Sequence, residues 1–179
     1  MPQADHDRQV RIGDSIRLEE GTCYLVKGKT VSAAYRFVER LHDDGTPALI
    51  ISRLHPDRIQ ARFGLHDIPT WWLSQSPGDG HFDPTAVGTL ASSIEAFSEA
   101  HPEGCVVLLD GIEYISMNVG FTKTMFFIEH LNEHAMTRRM TVLIPIDPEC
   151  YEPKEVARLE RSMETLDMSD LRGSSNTED

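Results

Sequence analysis

The chain has 179 residues, 40% hydrophobic and 26% charged, the balance of one globular domain with a sizeable core. A formal charge of -12 argues against general nucleic-acid or anionic-membrane binding, which needs a basic face, although it leaves room for a local basic patch. No apolar run approaches the roughly 20 residues of a membrane span, and Met1-Pro2-Gln3-Ala4-Asp5-His6 opens no signal-peptide core.

Cys23, Cys105 and Cys150 are widely spaced and odd in number. Without a CxxC pair they read as reduced thiols of a cytoplasmic protein, not as a disulfide frame or zinc site. Residues 1–20 are polar, with weak alternation at Val10-Arg11-Ile12, and read as a leader or edge strand. Gly21 to Val26 is the first strand, and Gly28-Lys29-Thr30 leads into a helix. Ala33, Ala34, Phe37, Val38 and Leu41 recur there at helical spacing, with Gly45 as the stop. Ala48 to Arg53 is a second buried strand, followed by a loop fixed by Pro56 and a helical turn to Phe63 and Gly64. Thr70 to Ser74 is the third strand. Its neighbours Trp71 and Trp72 point to opposite faces, one into the core and one under a helix or onto a contact surface.

Ser76-Pro77-Gly78-Asp79-Gly80 is a loop. Asp83 before Pro84 reads as the N-cap of a helix carrying Val87, Leu90, Ile94 and Phe97 on one face. Val106 to Asp110 is an unbroken apolar run ending in an acid, the pattern of a strand buried on both faces. Asn118 reads as the cap of a helix from Phe121 to about Met136. Thr141 to Ile146 is the fifth strand, Asp147-Pro148 closes it, and a last helix runs from Pro153 to Met168. Residues 169–179 read as a disordered acidic tail, leaving residues 21–168 as one α/β domain. Strands alternating with helical patterns predict a three-layer, doubly wound, mainly parallel five-stranded sheet.

In such sheets ligands sit at the carboxyl ends of the strands. Ser52, Arg53, His55, Asp110, Glu113 and Asp147 all fall there and form the candidate ligand- or partner-binding edge. Asp110 and Glu113, alone or with Asp147, are carboxylates placed to hold a metal; the plainer reading is that they cap the segment that follows. Arg53 either pairs with one of these acids as a structural tie or faces a ligand. Gly28-Lys29-Thr30 after the first strand invites a nucleotide-binding reading, with Asp110 on magnesium. A phosphate-binding loop needs GxxxxGK[ST], however, and the upstream glycine and spacer are missing. The plainer reading is a tight strand-to-helix turn that needs Gly28. His130-Leu131-Asn132-Glu133-His134 matches HxxEH, a zinc-hydrolase pattern, but no third ligand follows far downstream. The bland reading of His130 and His134 is a solvated helix face.

Several motifs occur in order: Ile51-Ser52-Arg53-Leu54-His55-Pro56, Trp72-Leu73-Ser74, Leu108 to Ile115, Asn118-Val119-Gly120-Phe121 and Ile144-Pro145-Ile146-Asp147-Pro148. Together they resemble the largely archaeal family called domain of unknown function 835, over about residues 22–165. That resemblance implies a regulatory role and a protein partner, possibly a signalling protein, because members stand alone or are joined to sensory and signalling modules. More distantly the layout resembles a degenerate core of the RecA and KaiC type of ATPase. Val106 to Asp110 resembles the Walker B strand, and Leu49 to Ser52 resembles the strand after which those enzymes carry a catalytic glutamate. Here Arg53 and Leu54 follow instead. The leading expectation is a non-catalytic binding module with no cofactor, able to self-associate. A divergent ATPase comes second and a zinc hydrolase last.

Overall fold

The computed structural model describes residues 10–12 and 16–168; the expected tail at 169–179 lies outside them. Strands β1 (Val10–Ile12) and β2 (Ile16–Leu18) pair antiparallel as a separate two-stranded ribbon. The remaining elements follow in order as β3 (Cys23–Lys27), α1 (Ser32–Asp43), β4 (Ala48–Ser52), α2 (Pro56–Phe63), β5 (Thr70–Leu73), β6 (His81–Phe82) and α3 (Val87–Glu99). Then come β7 (Cys105–Asp110), α4 (Ile112–Val119), α5 (Phe121–Arg138), β8 (Met140–Ile146), a 3-10 turn (Pro148–Cys150), α6 (Pro153–Ser162) and β9 (Glu164–Asp167).

The main sheet has seven strands, not the expected five, in the order β6-β5-β4-β7-β8-β3-β9, and every pairing in it is parallel. The two extra strands are its edges. β6 is two residues long and joins β5 through Trp72↔His81 and Leu73↔Phe82. β9 replaces the end of the expected last helix. α6 stops at Ser162 because the burial pattern changes there. Leu159 and Met163 belong to one core layer, whereas Leu166 packs against the other. Only an extended segment carries the chain across in so few residues, and it pairs with the open edge of β3.

Alternation along the strands builds the two layers. On β7, Val106 and Leu108 face α1 and α2 with Tyr35, Val38 and Ile59. Val107 and Leu109 face the other helices with Ile94, Ile128, Leu131 and Leu159. Elements following β4 and β3 therefore go to one face, and those following β7 and β8 to the opposite face. Where β4 meets β7, and where β8 meets β3, the chain parts at the carboxyl ends, which is how such sheets open a crevice.

Helix ends differ from expectation at two places. Asp83 accepts from the Thr85 N–H and hydroxyl at 2.8 and 2.7 Å, but α3 begins only at Val87, so Asp83 caps a turn after β6. Asn118 lies inside α4, where its side-chain amide donates to the Tyr114 carbonyl at 2.8 Å. The break between α4 and α5 is made by Gly120, at φ 86°. Neither tryptophan is fully buried. Trp71 stacks on Phe82 at 4.6 Å, whereas Trp72 contacts His55 and His81. Cys23 and Cys105 open β3 and β7 as free buried thiols, pushed up to about 12 by burial; Cys150 is free and exposed. Among the described residues no helix is long and apolar enough to cross a membrane.

Candidate functional site at the carboxyl end of the sheet

Asp110 ends the central strand on the α1 face and is only 8% exposed. Its carboxylate Oδ2 accepts a 2.7 Å hydrogen bond from the Tyr35 hydroxyl and a 3.2 Å bond from Ser52 Oγ. Tyr35 Oη and Ser52 Oγ are themselves 3.0 Å apart. Ser52 Oγ also accepts the Leu54 N–H at 2.9 Å, and the Arg53 N–H donates to the Asp110 carbonyl at 3.0 Å. The Tyr35 ring is held by Phe63 of α2, stacked at 4.0 Å with 5° between planes. Burial pushes the Asp110 carboxyl up, opposed by the bonds from Tyr35 and Ser52 and by the charge of Arg62. The Tyr35 hydroxyl is pushed up by burial, then by the Asp110 charge. A buried carboxylate with its own chain's donors aimed at it is a satisfied polar group.

The other expected site residues reach the same edge but engage separately. The Arg53 guanidinium sits 4.0 Å from the centre of the Tyr114 ring and, among the described residues, pairs with no acid. His55 caps α2, its Nδ1 accepting the Asp57 N–H at 3.2 Å, and its ring meets Trp72 edge-on at 4.9 Å. The Trp72 indole N–H donates to the Arg53 carbonyl at 3.1 Å. Asp147 caps the 3-10 turn by accepting the Glu149 N–H at 3.0 Å. Glu113 stands in the first turn of α4, its carboxyl raised by burial and then by the charges of Asp110 and Asp147. The Tyr151 hydroxyl is buried without a hydrogen-bond partner among the described residues, and its proton is held by burial and the Glu113 charge. Asp110, Glu113 and Asp147 are not gathered into one ligand set: no three His, Cys, Asp or Glu among the described residues are placed to hold a metal ion.

After β3 the sheet continues through the turn instead of opening. The Gly28 N–H donates to the Ile146 carbonyl at 3.0 Å, and Met168 N–H donates to the Lys27 carbonyl at 2.9 Å. Gly28 is outside the left-handed region, so no backbone angle demands glycine there. Lys29 and Thr30 are exposed. Gly111 is the glycine that the site requires. Its φ is 140°, and a Cβ would lie 2.9 Å from Leu73 Cδ1 and 3.4 Å from Arg53 Cβ. His130 is exposed on α5 and His134 is half-buried, and both also reach α3. His130 Nε2 bonds Glu95 of α3, and His134 Nε2 lies 2.7 Å from Ser98 Oγ, a polar clasp between α3 and α5. Burial lowers the His134 imidazole.

Tyr35 is the residue that sequence reasoning missed. Its signal was a hydroxyl-bearing ring in the apolar stripe of α1, whose polar tip needs a buried partner.

An open parallel sheet with a buried acid closing its central strand, and a crevice where the chain parts to opposite faces, defines a doubly wound parallel α/β domain. The chain belongs to the family described as protein of unknown function, DUF835, whose match spans residues 28–163. No curated protein matches the chain. Among solved structures, a KaiC-like protein from the hyperthermophilic archaeon Pyrococcus horikoshii OT3 is similar with a TM-score of 0.59 at 17% identity. The match covers 83% of this chain and 74% of that one. At that identity the likeness concerns the fold.

Proposed function

We propose that this chain is a non-catalytic RecA-like domain serving as a regulatory binding module for a protein partner. The observation that carries the reading is the closure of Asp110 by Tyr35 and Ser52. An acid that holds the magnesium of a triphosphate needs its oxygens free and an anion cradle beside it. Here Oδ2 of Asp110 is occupied by two side-chain hydroxyls, and the amide of Gly28 is taken by the sheet. Positioning and charge stabilisation supply nearly all of phosphoryl-transfer catalysis, so their loss removes the activity first. What the carboxyl edge retains for a partner is the half-exposed group of Arg53, His55 and Trp72, locked together by the Trp72–Arg53 bond.

The test is a thermal melt with and without magnesium and ATP. A nucleotide at a hundred times its Kd adds about 2.7 kcal/mol, a rise of roughly 5–10 °C for a chain of this size. No rise is expected. A rise of that size, lost in Lys29→Ala and in Asp110→Asn, overturns the reading in favour of a divergent ATPase.

A further inference from the structure

We propose that the groove between α5 and α6 is a two-fold interface, occupied by a second copy of this chain. The groove has a volume of about 300 Å³ and is lined by Met125, Phe126 and Glu129 of α5 and Arg158 and Arg161 of α6. Phe126 stands on its wall 70% exposed. A bare aromatic ring beside an apolar hollow is a knob and a hole on one surface. Its charges are equally unspent. Glu129, Arg158 and Arg161 line one groove, yet among the described residues none of them makes an ion pair. Both signs of charge are thus present on one apolar groove, with neither neutralised by a close contact among the described residues.

An interface about a two-fold axis must be self-complementary: whatever one copy offers, the same patch of the other must accept. This groove meets that condition twice, through ring and hollow and through arginine and glutamate. A foreign acidic segment would satisfy the arginines but leave Glu129 opposed by nothing. A second copy opposes both. Phe126 then becomes the central anchor of the kind that dominates interface energetics, with the charged side chains as its rim.

The full chain is tested by sedimentation velocity at about 100 μM, far above the Kd of a specific dimer. A mass twice the 20.2 kDa chain is expected. Phe126→Asp should weaken the dimer roughly tenfold or more while leaving the monomer folded, since the ring is exposed. Arg158→Glu/Arg161→Glu and Glu129→Arg each place like charges across the axis and should each sediment as monomers. Mixed one to one, the two variants restore opposite charges at both contacts and should form a heterodimer. A monomeric wild type overturns the proposal. So does a dimer indifferent to Phe126→Asp, or a failure of the two variants to pair. A monomeric wild type that instead binds an acidic, apolar peptide at this groove makes it a site for a foreign partner.

Discussion

At the scale of single residues, the chemistry of the carboxyl edge turns on which proton sits on which oxygen. Tyr35→Phe removes the 2.7 Å donor to Asp110 without changing the ring that stacks on Phe63. A buried acceptor left with one donor fewer costs about 1–3 kcal/mol, which urea denaturation at neutral pH should read. Glu113 has the opposite character. Burial, then the nearby charges of Asp110 and Asp147, raise its folded pKa. The folded state therefore holds the proton more tightly than the unfolded chain does. The stability that this confers is fully present below the ordinary glutamate range and is lost as pH rises through the raised folded value. Glu113→Gln mimics the protonated form at every pH. The variant should melt above the wild type at pH 8, and the gap should close as pH falls below about 4, the unperturbed glutamate value. A gap that widens on acidification would mean that Glu113 is held charged by its surroundings.

At the scale of elements, the turn from β7 into α4 is a tight joint. Gly111 combines a left-handed φ of 140° with a close approach to Leu73 and Arg53. Gly111→Ala meets both a conformational and a steric penalty, together roughly 2–5 kcal/mol. Gly120 has φ 86°, but a Cβ there meets nothing within 4 Å. Gly120→Ala should therefore cost only the backbone term, about 1–3 kcal/mol for its φ 86°, ψ 159° conformation. Comparing the two midpoints in guanidinium separates strain from packing. The clasp of His130 and His134 on Glu95 and Ser98 belongs to this scale too. Histidines four apart on a helix face are a metal chelator only when the neighbouring element leaves their nitrogens free. Here α3 takes them.

For the whole molecule, the sheet order predicts a gradient of stability. β7 lies between β4 and β8, is buried along its whole length and has helices on both faces. β6 and β9 are short edges, and half of β9 is exposed. Opening of an edge needs few contacts to break, whereas a central strand opens only with the core. Hydrogen exchange should show β7 amides exchanging at the rate of global unfolding, with β6 and β9 exchanging many times faster. Equal protection across the sheet would contradict that gradient.

What could be read from the residues alone was whatever is written locally. The apolar runs at Ala48 to Ser52, Val106 to Asp110 and Thr141 to Ile146 marked strands buried on both faces. Gly64 marked the end of α2, whereas Pro56, read as part of a loop, is the first residue of that helix. The acid at the end of the central strand pointed to the edge where Asp110 lies. Tertiary structure alone decided the rest. β6 and β9 carry no strand pattern of their own, being two and four residues long, and exist because β5 and β3 offer open edges. Arg53 lies one residue beyond Ser52 at the end of β4 and so points away from Asp110, a parity that composition does not reveal. The Tyr35–Asp110 bond joins positions 75 apart in the chain, and no local pattern encodes a contact that only the packing of α1 across the sheet creates.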